Sequence, residues 1–258
     1  MEWYLVVLGC LFSGALIGFT GGVVGIGGGL LAIPLLGLVL GMDQHVAQGT
    51  ALIMVLPAVL MTIRKYNQRA KIDWRAAAAG ASASIVFTWI GAQIALGLDP
   101  VLLRRIYAAF IFGIAAFYFY QGLRRRDSVR LMPARREASE FHKGWFVLIG
   151  VLAGAAGGIF GVGGSVLAVP FMTTLFRLSQ TGAQGLALTM VLPGTVVALM
   201  TYTAHGRVDW LVGLPLALGS IFFVPYGVKL AYALPEPRLK TIFACMLLVI
   251  ICLLLLKA

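Results

Sequence analysis

The nine residues GGVVGIGGG (21–29) return 136 positions later as GGIFGVGGS (157–165), each time inside an otherwise apolar stretch. Glycine in a helix interior costs about 1 kcal/mol relative to alanine. Six glycines in the first run and five in the second therefore constrain the chain more than any other feature. One packing face of a helix needs one small residue per turn, whereas Gly27, Gly28 and Gly29 are consecutive and point all around it. The run favours unwinding, at the same place in each half.

The offset extends well beyond the glycines. GFTGGVVGIGGGLLAIP (18–34) lies on GAAGGIFGVGGSVLAVP (154–170), AQGTALIMVLP (47–57) on AQGLALTMVLP (183–193), and KIDW (71–74) on RVDW (207–210). Without a gap, 24 of the 61 positions from Gly14 to Trp74 equal their counterparts 136 later. Many transporters are built from such repeats. The chain reads as two homologous halves, 1–122 and 144–258, joined by a basic linker at 123–143.

Composition sets the solvent. The chain is 60% hydrophobic and 11% charged, with mean hydropathy +0.97, against about 25% charged residues in a soluble domain. Apolar runs recur from Tyr4 to the C-terminus, several longer than the roughly 20 residues that cross a bilayer. The expectation is an all-α polytopic membrane protein, multi-pass in the inner or plasma membrane. The first apolar run lacks the basic start of a signal peptide and reads as retained. A net charge of +11 does not indicate nucleic acid, because no soluble domain exists to carry a basic groove. Its Lys and Arg gather at 64–75 and 124–143, as in cytoplasmic loops, where they also meet anionic headgroups. Cys10, Cys245 and Cys252 show no paired spacing, so neither a disulfide framework nor a metal site is indicated.

Each half predicts the same elements. A glycine-broken first stretch (4–41, then 146–176) precedes three helices near 46–65, 73–97 and 100–122, with counterparts near 182–202, 209–232 and 237–256. Asp73 and Asp209, each before a Trp, have the position and chemistry of helix N-caps. If the broken stretch crosses once, the chain has eight full spans in parallel halves. If it is a hairpin, there are ten segments and the halves are inverted. Loop 64–75 carries five Lys or Arg and loop 200–211 only Arg207, which suits opposite sides of a membrane. The shortness of the hairpin helices suits the other reading.

Small-residue spacing explains Gly14, Gly18, Gly150 and Gly154 as helix-packing positions. It explains the compact clusters less well. No strand precedes them and no Lys-Ser/Thr follows, which excludes a nucleotide loop. Backbone freed at membrane depth is tolerated where protein buries it or a cavity meets it. A helix restarting at Gly28–Leu30 would aim free N–H groups and the positive dipole end inward, an anion site without a charged side chain. The candidate substrate-binding residues are thus Gly25, Gly27, Gly28, Gly29 and Gln48, with Gly161, Gly163, Gly164, Ser165 and Gln184 opposite. Pro34 and Pro170 follow about a turn later and shorten or kink the restarted helices. For the two glutamines, substrate contact and interhelical hydrogen bonding both stay open. Thr50 and Thr189 lie nearby without being counterparts, which would make a site asymmetric.

No Asp, Glu, Lys or Arg falls mid-span, Arg104, Arg105 and Lys229 being near helix ends, so no buried proton relay is evident. His45, His142 and His205 read as solvated residues in loops or at helix ends. Ser13, Ser82, Ser84 and Ser220 have no mid-span histidine partner, and an enzyme would need nucleophile and base within reach.

With both glycine motifs, both AQG…MVLP blocks and the doubled DW, the chain resembles the TauE/SafE sulfite exporter family, also called toluene-sulfonate uptake permeases. Its hallmark, G-x-G-G-[GS]-x-x-x-x-P, matches at Gly25–Pro34 and Gly161–Pro170, with Ser165 replacing the last glycine. The resemblance implies an inner-membrane transporter of sulfite, a sulfonate or a related organosulfur anion, with the glycine regions and glutamines lining the path and no cofactor. A secondary carrier is the first reading and an anion channel or facilitator the alternative.

Overall fold

The computed structural model describes residues 3–69, 72–125 and 142–255. They form ten helices: α1 (Trp3–Val24), α2 (Gly29–Val39), α3 (Gln44–Arg69), α4 (Trp74–Gly97), α5 (Pro100–Arg125), α6 (Lys143–Phe160), α7 (Ser165–Thr174), α8 (Gln180–Ala204), α9 (Trp210–Ala233) and α10 (Glu236–Leu255). Seven of them are long and apolar enough to cross a bilayer. The linker residues 126–141 lie outside the described residues.

Helix limits follow local chemistry. Asp73 accepts from the amides of Arg75 and Ala76 at the start of α4. Asp209 accepts from Leu211 and Val212 at the start of α9. Each carboxylate satisfies two of the four free N–H groups that open a helix. Ser179 caps α8 and His142 caps α6 in the same way.

α1 has two faces distinguished by size rather than polarity. Leu5, Leu8, Phe12 and Leu16 form an exposed stripe. Gly14, Gly18 and Gly22 lie on the other side, against the backbone of Leu216, Ser220 and Val224 of α9. The indices rise together, so α1 and α9 run parallel. Gly150, Gly154 and Gly158 of α6 meet Gly80, Ser84 and Thr88 of α4 in the same manner. In lipid, where apolar surface gives no association force, such close backbone approach holds helices together. The first helix of each half is thus clasped by a helix of the other.

α3 and α8 run antiparallel through the centre. Where α3 begins, the amide of Asp209 donates to Thr50 Oγ1 at 2.9 Å, so the α8–α9 connection sits at that end. Where α3 finishes, Tyr66 and Ile72 lie against Gly185, in the first turns of α8. The connections 64–75 and 200–211 therefore stand at opposite ends of the bundle. After Val24 the chain doubles back: Gly28 lies against Ile17 of its own α1, and Gly164 against Ala153 of α6. The glycine-interrupted stretches are hairpins. α2 returns to the end where α3 begins, giving ten segments rather than eight simple spans.

Candidate functional site

The two hairpin turns are made of left-handed glycines. Gly25, Gly27 and Gly28 have φ of 70°, 74° and 82°, and Gly161, Gly163 and Gly164 have 66°, 77° and 69°. Only glycine takes this conformation repeatedly without steric cost. α1 ends at Val24 and α2 starts at Gly29, while α6 ends at Phe160 and α7 starts at Ser165. Residues 21–30 and 160–166 are all buried.

Neither restarted helix has a side-chain cap, its N-cap being Gly28 or Gly164. The bonds of the first turn run from Gly25 N and Ile26 N to Gly21 O, and from Leu31 N and Ala32 N to Gly28 O. None of them uses the amides of Gly27, Gly28, Gly29 or Leu30. A buried helix start without partners calls for an acceptor from elsewhere.

The turns come together at the centre. A methyl built on Gly29 would stand 3.4 Å from Gly161 O and from Val162 Cα, and 2.7 Å from Val55 Cγ2, near the middle of α3. Gly25 is covered by the side chain of Gln184, and Gly161 by Gln48. Each turn therefore rests on the glutamine of the other half. Gly27 packs on Val55 and Val59, and Gly163 faces Val55 and Thr195.

Both glutamines are held by a tyrosine across the α3–α8 contact. Tyr66 OH donates to Gln184 Oε1 at 2.7 Å, and Tyr202 OH donates to Gln48 Oε1 at 2.8 Å. Beyond that the two differ. Gln184 Nε2 donates to Val24 O at 2.5 Å, closing the end of α1. Gln48 Nε2, in a residue 0% exposed, has no partner. Tyr202 OH also has Gly158 O within reach at 3.2 Å. Ser165, 0% exposed and standing where the first turn has Gly29, leaves its Oγ unpartnered.

Sequence reasoning named both glutamines and missed their tyrosines. The signal was there: between Pro57 and Asp73 the one position identical at the 136-residue offset is Tyr66, matched by Tyr202. Thr50 and Thr189 are not the source of asymmetry. Thr50 Oγ1 takes the amide of Asp209, and Thr189 donates to Gly185 O within α8. His45 is not solvated either: it is 2% exposed, with Nε2 2.9 Å from Ala95 O. A first-turn residue of a helix packed at both ends is core, whatever its polarity. Ser84 and Ser220 donate to Met190 O and Ala217 O, which are structural bonds.

Among the described residues no Asp, Glu, Lys or Arg is buried. Apolar spans around an interrupted, polar but uncharged centre define a multi-pass membrane protein built to pass a solute. The chain matches the family described as Sulfite exporter TauE/SafE over residues 10–254, and it belongs to that family. It is similar to a probable membrane transporter protein of Xylella fastidiosa, 25% identical over 85% of this chain and 82% of the relative. Probable membrane transporter protein YunE of Bacillus subtilis is 25% identical over 96% of this chain and 93% of the relative. One of Methanocaldococcus jannaschii is 23% identical over 95% and 94%. No solved structure matches. The chain is a membrane transporter, not an enzyme.

Proposed function

We propose that the chain is a secondary transporter for a small anion, a sulfite, a sulfonate or a related organosulfur compound, bound between its two halves where α2 and α7 restart. The observation that carries this reading is the meeting of two buried turns, Gly29 against Gly161 and Val162, each leading into an uncapped helix start, at Gly29 for α2 and at Ser165 for α7. Each start presents a partial positive charge of about half a unit. No lysine or arginine is buried beside them among the described residues, so the field of the backbone does the holding. The family name, Sulfite exporter, points to the sulfur chemistry.

Alternating access fits a pair of inverted halves, with the site near the midplane at their interface. Purified protein in liposomes is expected to show saturable flux of labelled sulfite or methanesulfonate, accelerated by unlabelled anion on the opposite side. A linear, unsaturable conductance would identify a channel instead. No flux of any sulfur oxyanion would sink the reading.

Orientation follows from charge. Arg64, Lys65, Arg75, Arg177 and Arg238 belong to the end where α3 finishes, as do the finish of α5 and the start of α6, the two helices that bear the linker. The opposite end sets Asp43, Asp99 and Asp209 against Arg104, Arg105 and Arg207, with Asp43 and Arg207 3.8 Å apart. By the positive-inside rule the first end is cytoplasmic. Alkaline phosphatase fused within the linker should be inactive, and fused after α10 active; the reverse pattern overturns this orientation.

A further inference from the structure

The two turns at the centre share a backbone but not their donors. In the first, Gln184 spends its amide on Val24 O and its carbonyl on Tyr66, and the position after the turn is Gly29. In the second, Gln48 keeps Nε2 unpartnered, and Ser165 adds an unpartnered hydroxyl to the first residue of α7. Both side chains are 0% exposed. A buried polar group left unsatisfied carries the full cost of its lost hydration. Two beside one turn, next to the unbonded amides of Gly163, Gly164 and Val166 (Ser165 N is taken by Gly163 O at 2.8 Å), mark a place where an acceptor arrives from outside the protein.

The geometry points to a single, one-sided binding site on the second turn, in which Gln48 Nε2, Ser165 Oγ and the Gly164 and Val166 amides at the start of α7 hold one monoanion with at least two acceptor oxygens. This rests on the transporter reading above and narrows it. The first turn has no spare side-chain donor and serves as the wall. Every donor is neutral, and the two helix starts together supply roughly one unit of positive charge. Their surroundings, Leu30, Val55, Val162 and Val166, are buried and apolar. The cost of bringing an ion into such a medium rises with the square of its charge. Hydrogen sulfite and alkanesulfonates fit; sulfate and doubly charged sulfite do not.

Calorimetry and thermal shift on the detergent-purified full chain test the assignment, with methanesulfonate, sulfite and sulfate as probes. One methanesulfonate should bind per chain, and sulfate at least about tenfold more weakly, a difference of about 1.4 kcal/mol. Sulfite affinity should fall as pH is raised and hydrogen sulfite loses its proton, while methanesulfonate, with no proton to lose, keeps its affinity. Ser165→Ala and Gln48→Leu should each weaken methanesulfonate about fivefold to tenfold. Ser165→Ala should leave the ligand-free melting temperature unchanged or higher, since it removes an unsatisfied hydroxyl; a structural serine would give a fall. Two anions per chain, sulfate bound as tightly as methanesulfonate, pH-independent sulfite binding, or wild-type affinity in Ser165→Ala overturns the one-sided site and leaves the transporter reading standing. If wild-type protein binds none of the three probes, the sulfur-anion reading itself falls, and this assignment with it.

Discussion

Gln184→Leu is expected to lower the melting temperature of the purified protein sharply, and Gln48→Leu only slightly, although the two residues occupy matching places. Removing the Gln184 amide strands two buried groups at once: Tyr66 OH, whose acceptor is Gln184 Oε1 at 2.7 Å, and Val24 O, which takes Nε2. At about 1–3 kcal/mol for each stranded group, the loss is roughly 2–6 kcal/mol, a large share of a typical domain's 5–15 kcal/mol. Removing Gln48 strands only Tyr202 OH, which can turn to Gly158 O at 3.2 Å. Its cost should stay below about 1.5 kcal/mol, with the damage appearing in anion binding instead. Tyr66→Phe supplies an intermediate: Gln184 loses one bond and keeps the other. Equal melting shifts for the two leucine variants would show that the hydrogen-bond asymmetry has no energetic weight.

A glycine series through the second turn should separate backbone strain from collision. At Gly163 the nearest atoms to an added methyl, Thr195 Oγ1 and Val55 Cγ1, are both 3.6 Å away, so the space is open and only φ of 77° opposes a side chain. Gly163→Ala should therefore fold, with a loss of about 1–2 kcal/mol. At Gly164 a methyl would run into the backbone carbonyl of Ala153, which cannot step aside. Gly164→Val should yield no monodisperse protein, and Gly164→Ala little. Gly28, the matching position of the first turn, is intermediate: its methyl would meet two side-chain atoms, Ile17 Cγ2 at 2.9 Å and Met54 Cε at 3.2 Å, and the backbone oxygen of Ile17 only at 3.2 Å, at φ of 82°. Gly28→Ala should be recoverable but inactive in flux. If Gly164→Val purifies as a single species with normal flux, the left-handed turn is dispensable.

Much of this architecture can be read from the chain because its signals are local. Consecutive glycines cannot serve one helix face, which located both breaks within a residue or two. An Asp before a Trp announced the starts of α4 and α9. Hydropathy set the long helices to within a few residues, α3 running from Gln44 to Arg69 where 46–65 was expected. Long-range relations were less legible. A polar residue in a membrane helix does not state its partner, so Gln184 and Tyr66, 118 residues apart, carry no mutual signal except that each has a match at the same offset. The difference between Gln48 and Gln184 was invisible, because both stand in the same AQG triplet and only the position of Val24 O separates them. His45 was misread for a related reason: polarity near a connection suggests solvent, but Ala95 O waits beside it.

The crossed clasp of α1 with α9 and of α6 with α4 also governs how the molecule is made. α1 leaves the ribosome with Gly14, Gly18 and Gly22 bare, and the helix that covers them begins only at Trp210. At about 5–20 residues per second, roughly 10–40 s of synthesis separate the two events. During that interval the small-residue groove of α1 faces acyl chains, which must be squeezed out when α9 arrives. Neither half is a finished object that the other later joins, and the centre where the turns meet comes into being only once nearly the whole chain has entered the bilayer.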